Sequence, residues 1–378
     1  MGVRETVGIV RGMSRGRPAR EGNSRGRGPR RPLLLALVGG LAGLTGYAVW
    51  ETERNRPGGA AGKVVRREPE RVMGTTCRLM VVVPPGREAE AGRALESAES
   101  VLRRLEARLS VHLADSEISR LNAAPVGEEV PLSPETLELL RLAERGSRST
   151  RGAFDPTCLP LVRLWGRAGR EGRAPAAPEI RAACAGTGWR HFELRERGAV
   201  RRDSAAGLDL GGIAKGHAVD AAAEVLRAAG FPGGLVQVGG ETRVFGAGPD
   251  GGAWAVGLRS PFRDEVFATL RLKDRAVSTS GPYHRFAVID GRRRSHIVDP
   301  RTGEPADEVP SATVAAPAAL EADLWATALS VLGPPGLDLL PRGAGLEALL
   351  ITGSAEAPRI HRTPGFGALL GRPAAGAD

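Results

Sequence analysis

The sequence predicts an α+β fold of mixed, largely antiparallel sheets with packed helices. Amphipathic helical stretches are interleaved with short apolar runs. Asp290-Gly291 joins two strand-like runs into a hairpin. No strand is followed by the GxGxxG turn of a parallel nucleotide-binding sheet.

The chain divides before any element is assigned. Residues 1–31 form a basic tail with nine Arg against two Glu, so most of the formal net charge of +10 sits there. The remaining chain is only slightly basic, and its aromatic residues are not interleaved with its basic ones. That pattern argues against a nucleic-acid groove. Residues 32–50 follow as a signal peptide or membrane anchor, with 33–50 reading LLLALVGGLAGLTGYAVW and carrying no charge. The Arg-rich flank predicts that everything after residue 50 faces outward, on the periplasmic side. Sec and Tat export both remain open. Residues 51–70, with Pro57, Gly58 and Gly59, read as a linker, and 71–372 as the folded domain.

Within the domain, residues 72–83 read as a strand and 88–109 as an amphipathic helix, with Leu95, Val101, Leu102, Leu105 and Leu109 near one face. Ser133-Pro134-Glu135 is a helix start, with a capping hydroxyl and a proline in the first turn. Residues 216–229 carry a helical pattern closed by Gly230, and 235–238 form a short strand ending at Gly239-Gly240. Phe286–Ile289 and Ser295–Val298 are the two arms of the hairpin. Residues 319–332 are a helix stopped by Gly333-Pro334-Pro335. With 4% aromatics, the core has to rest on Leu, Val and Ala.

The cysteines, Cys77, Cys158 and Cys184, are odd in number and lack CxxC spacing, which excludes a disulfide framework and a zinc site. Walker A, HExxH and GxSxG patterns are absent. Four segments carry candidate chemistry. Gly152–Thr157 places Asp155 before a proline, a turn or a site. Asp209–Gly216 combines an acid, two adjacent glycines and Lys215, one of only three lysines, at a helix start. Such a loop cradles phosphate or is a solvated turn. His296 and Asp299 end a hairpin strand, with strand period placing His296 and Val298 on one face. A His there is a candidate general base because its pKa lies near working pH. Asp323 and Thr327 lie one helical turn apart, which suits Mg²⁺ or reflects a dipole-favoured Asp and a packed Thr.

These segments occur together and in order, and the chain resembles the FAD:protein FMN transferases of the ApbE family, formerly described as thiamine-biosynthesis lipoproteins. The resemblance rests on Met73-Gly-Thr75, the SEISRLN run ending at Asn122, GAFDPT, DLGGIAKGHAVD, Gly239-Gly240-Glu241, TSGPYHRF, HIVDPRTGEP and Ala322-Asp323 through Thr327. It implies a single ApbE-like catalytic domain and a Mg²⁺-dependent transfer of FMN from FAD to a Thr or Ser hydroxyl, with release of AMP. It implies that Met73, His112, Ala153, Phe154, Asp155, Asp209, Lys215 and Val298 line the FAD site. Gly212, through its backbone, Asp323 and Thr327 would hold Mg²⁺, and His296 would be the base. Acceptors would be flavoprotein subunits of respiratory or redox complexes.

The chain departs from relatives at His112, where an aromatic is usual, and at Pro282, and it lacks a lipobox Cys. Hydrolysis of FAD and extracytoplasmic FAD binding or delivery stand as alternatives.

Overall fold

The computed structural model describes residues 62–281 and 286–371. The basic tail, the apolar segment 32–50, the first part of the expected linker and Pro282 lie outside the described residues.

The described chain opens with strands β1 (Lys63–Arg67) and β2 (Cys77–Val83) and helices α1 (Glu88–Leu109) and α2 (Glu117–Ala123). Next come β3 (Glu129–Pro131), α3 (Pro134–Ser149), α4 (Leu159–Glu171), α5 (Ala177–Ala185), β4 (Phe192–Leu194), β5 (Gly198–Arg201) and α6 (Ala214–Ala228). The run β6 (Gly233–Val238), β7 (Glu241–Gly246), β8 (Trp254–Arg259), β9 (Val266–Leu272), β10 (Arg275–Ser280), β11 (Phe286–Ile289) and β12 (Arg292–Ser295) follows. The last elements are β13 (Ser311–Ala316), α7 (Ala319–Leu332), β14 (Glu347–Gly353) and β15 (Pro358–Arg362).

Eight strands form one sheet in the order β1-β2-β6-β7-β10-β13-β14-β15. Its ladders are antiparallel throughout, as the hairpin signals predict. Strand period splits β2 between two cores. Leu79, Val81 and Val83 face a cluster shared with α1, α6 and α7. Met80 and Val82 face a second cluster closed by Trp254, Val256, Leu270 and Phe366 from the β8–β9 ribbon and the C-terminal turn. The sheet is thus covered on both faces along β2, β6 and β13, whose residues are nearly all buried. Each Leu or Val fully buried this way contributes about 1.5–3 kcal/mol relative to exposure.

The helix boundaries follow local rules. Ser133 Oγ accepts from the Thr136 N–H at 3.3 Å, and Ser116 Oγ accepts from the Ser119 N–H at 2.9 Å. Helix α6 begins at Ala214, two residues before the expected start.

Three expectations are corrected. The strand expected over 72–83 begins only at Cys77, because Val72 and Thr75 close a tight turn with Met73 and Gly74 at φ +51° and +71°. Residues 63–67 of the expected linker are strand β1, paired with β2 as an edge. The hairpin turns on Asp290 and Gly291, both at positive φ, so pairing resumes at once with Ile289 opposite Arg292. The returning strand therefore ends at Ser295, whose N–H bonds Asp307 at 2.6 Å. His296 and Val298 lie on the loop beyond it, so the strand period expected to place them on one face does not apply to them.

Candidate functional site

A cavity of about 370 Å³ opens where several loops meet the start of α6 and the middle of α7. Helices α6 and α7 approach closely there. A Cβ on Gly216 would lie 2.4 Å from the Ala319 carbonyl oxygen and 2.8 Å from the Asp323 Cβ, so only glycine permits the contact.

The first wall is the loop 153–158. Asp155 is largely enclosed and its carboxylate is already engaged. Oδ1 accepts from the Thr157 N–H at 2.9 Å and its hydroxyl at 2.6 Å, and Oδ2 accepts from Ser147 Oγ at 3.2 Å. Burial raises its pKa above the ordinary carboxylate value, against those hydrogen bonds. Asp155 thus shapes the loop that presents Ala153 and Phe154 to the cavity.

The second wall is the loop 209–213, tied to the first by the Asp209 N–H, which donates to the Pro156 carbonyl at 2.7 Å. Asp209 Oδ1 accepts from the Gly211 N–H at 2.8 Å, a local turn that exposes the glycines. Asn122 clamps this loop from behind. Its amide donates to the Leu208 carbonyl and accepts from the Leu208 N–H, both at 2.8 Å.

Charge is concentrated at the inner end. Lys215 Nζ lies 3.0 Å from Glu241 Oε1 and 3.8 Å from Asp323 Oδ2, and donates to the Gly211 carbonyl at 3.3 Å. Asp323 Oδ2 also accepts from the Gly216 N–H at 2.9 Å. Burial pushes the Asp323 carboxyl up, and burial pushes Glu241 up to about 7 against the pull of Lys215. Glu241 Oε2 is buried without a hydrogen-bond partner among the described residues.

The third wall is the loop 296–300. Its base is held by Trp165 Nε1, which donates to the Gly303 carbonyl at 2.7 Å. Asp299 is turned away into a pair with Arg301, Oδ2 to Nη2 at 2.8 Å, so it does not line the cavity.

The tertiary fold brings His112, Ala153, Phe154, Asp155, Asp209, Gly212, Lys215, His296, Val298, Asp323 and Thr327 to this one cavity. Met73 is the exception: it sits in its tight turn, packed against the core, and is not among the lining residues. Sequence reasoning missed Glu241 as a site residue. The available signal was an acid directly after Gly239-Gly240.

The donor set fits a hard cation. Asp323 supplies a carboxylate and Thr327 a hydroxyl. Gly212 lies against them, since a Cβ there would sit 3.1 Å from Thr327 Oγ1. All are oxygen donors of the kind Mg²⁺ prefers, and the unpartnered Glu241 oxygen adds negative potential beside them.

A sequence profile of the ApbE family matches residues 73–350. The FAD:protein FMN transferase of Klebsiella pneumoniae (strain 342) is 34% identical over 309 residues, covering 79% of this chain and 88% of that protein. That of Vibrio cholerae is 35% identical over 267 residues, covering 69% and 79%. Among solved structures, the apo flavinyl transferase ApbE of Pseudomonas stutzeri aligns with a TM-score of 0.71 at 34% identity, covering 83% of this chain and 98% of that one. The ApbE protein of Thermotoga maritima aligns with a TM-score of 0.74 at 30% identity, covering 81% and 99%.

Proposed function

The chain belongs to the ApbE family, and on that premise we infer that it is a flavin transferase moving FMN from FAD to an acceptor protein. The observation that carries the reading is the convergence of Lys215, Asp323, Thr327, Gly212 and His296 on one cavity from separate elements.

The finer chemistry is phosphoryl-type transfer. A Thr or Ser hydroxyl of the acceptor attacks the FMN-side phosphorus of FAD. A new P–O ester bond forms to the acceptor, the P–O–P bond breaks, and AMP leaves with the bridging oxygen. Such transfers need alignment and charge neutralisation more than covalent help. Lys215, in the first turn of α6, is the cation that would meet pyrophosphate charge. The loop 209–213 brings its backbone within reach of the phosphates. His296 takes the hydroxyl proton, a role worth ~10²–10⁴-fold in rate. Its exposure at the cavity mouth suits a group that must meet an incoming protein. Asp323, Thr327 and the Gly212 carbonyl would hold Mg²⁺, which would supply Lewis-acid neutralisation of the pyrophosphate.

The FAD pocket takes His112, Ala153, Phe154, Asp155, Asp209 and Val298 as its walls. Met73 acts behind the wall, through its turn, rather than as a lining group. Export follows from the Arg-rich tail and residues 33–50, which put the domain outside the cytoplasm, anchored or released. Its acceptors there are flavoprotein subunits of redox complexes.

The test is incubation of the protein with FAD, Mg²⁺ and a candidate acceptor. An FMN mass increment on the acceptor and stoichiometric AMP support the reading. Fast AMP release without acceptor replaces it with FAD hydrolysis.

A further inference from the structure

Glu241 and Asp323 come from a strand and a helix far apart in sequence, yet both are almost wholly buried, at 3% and 1% exposure. They face one ammonium group. Lys215 Nζ touches Glu241 Oε1 at 3.0 Å and stands 3.8 Å from Asp323 Oδ2. Two buried carboxylates therefore share one ammonium group.

Glu241 is set rigidly. It opens β7 directly opposite Ser278 of β10, whose hydroxyl donates to Oε1 at 3.4 Å. Its other oxygen, Oε2, is buried at the cavity with no hydrogen-bond partner among the described residues. Buried acceptors left this way are costly and are tolerated where a ligand completes them.

We propose that Lys215 is the resident counter-ion of a divalent-cation site completed by Glu241, and that the incoming cation displaces its ammonium group from between the carboxylates toward the substrate phosphates. This rests on the Mg²⁺ assignment to Gly212, Asp323 and Thr327, and adds Glu241 as a further carboxylate and Lys215 as the group exchanged. Cation and ammonium compete because both need the same oxygens. Mg²⁺ carries twice the charge and takes carboxylates readily. Lys215 sits on a flexible four-carbon stem in the first turn of α6, so it can swing without moving backbone. The consequence is positive coupling: cation binding frees the ammonium for an anionic substrate, and by linkage the substrate tightens the cation.

Only three lysines are present, Lys63, Lys215 and Lys273, so site-resolved acetylation by mass spectrometry reads the exchange directly. The full-length protein is labelled with limiting acetic anhydride in EDTA, in Mg²⁺ alone, and in Mg²⁺ with FAD. Mg²⁺ alone is expected to speed Lys215 labelling severalfold while leaving Lys63 and Lys273 unchanged, and FAD to reverse the gain. By calorimetry with Mg²⁺ alone, Lys215→Gln is expected to bind about tenfold more tightly and Glu241→Gln about tenfold more weakly, a modest share of the energy between contacting charges.

Unchanged or slower Lys215 labelling in Mg²⁺ overturns the exchange, as does weaker Mg²⁺ binding by Lys215→Gln. The labelling uses wild-type protein and decides alone if that variant does not fold. Mg²⁺-dependent flavin transfer with an unresponsive Lys215 sinks the exchange and leaves the transferase reading standing. Absence of any Mg²⁺ binding sinks the metal assignment with it.

Discussion

Asp220 and Asp323 cap each other's helices. Asp220, on α6, accepts from the N–H groups of Ala319 and Leu320 at 2.8 and 2.9 Å, at the start of α7. Asp323, on α7, accepts from the Gly216 N–H at 2.9 Å, in the first turn of α6. Neither helix has a side-chain cap from its own N-cap residue. The exchange satisfies donors that would otherwise be buried unpaired, and it fixes the helix pair that carries Lys215 and Thr327.

Asp323 therefore has a structural role as well as the proposed metal role. Asp323→Ala is expected to lower stability by about 1–3 kcal/mol, the cost of stranding a buried donor, and to abolish transfer. Asp323→Asn keeps an acceptor for Gly216 and should retain most of the stability while still losing transfer. Asp220→Ala should lower stability by a similar amount. Denaturant titration of the three variants, with transfer assayed in parallel, separates the roles. Wild-type stability in both alanine variants would remove the capping argument.

Asn122 lies outside the cavity but holds the loop that lines it. Asn122→Ala removes both bonds to Leu208 and is expected to cost about 1–3 kcal/mol. It should also weaken FAD binding, because the Asp209–Gly212 backbone loses its support. Asn122→Asp keeps the acceptor for the Leu208 N–H and should fall between. FAD titration by flavin fluorescence measures the series, and equal affinity in all three proteins would show that the loop holds itself.

His296→Asn keeps a hydrogen-bonding group but cannot take a proton near neutral pH. Little change in FAD affinity is expected, with transfer slowed by at least ~10²-fold, the lower end for loss of a general base. Asp299, committed to Arg301, is a poor substitute base. Transfer at the wild-type rate would move the proton acceptor elsewhere.

His217 predicts a pH dependence of stability. Burial depresses its pKa below the ordinary 6.5, with Glu135 3.6 Å away opposing the shift. In acid the unfolded chain takes up this proton before the folded one does, so protonation favours unfolding. The contribution is fully present above about pH 6.5, where the unfolded ring is neutral, and is lost as pH falls through that value toward the lower folded pKa. His217→Gln should flatten this part of the profile. Denaturant midpoints across the acid side of neutrality check it, and an unchanged slope in the variant would assign the dependence to other groups.

Topology is tested by a C-terminal reporter. Activity only outside the cytoplasm is expected from the basic tail and residues 33–50. A truncated protein lacking residues 1–55 should still bind FAD, and a cytoplasmic signal from the full-length fusion would overturn export.

What the sequence determined by itself was local or cumulative. The spacing of Leu95, Leu102 and Leu105 located α1, and Ser133-Pro134 located the start of α3, because periodicity and capping depend on residues a few positions apart. Asp290-Gly291 located the hairpin turn, though the length of the second arm was misjudged. Runs such as DLGGIAKGHAVD identified the family because many short patterns in order are specific even when each alone is weak. The tertiary structure decided everything that joins distant segments. It placed Glu241 against Lys215, moved Asp299 onto Arg301, kept Met73 out of the cavity, and let Asp220 and Asp323 cap each other. Pairings of this kind depend on how the sheet and its helices pack. An acid that will face a lysine reads, in a one-dimensional chain, the same as one that will face water.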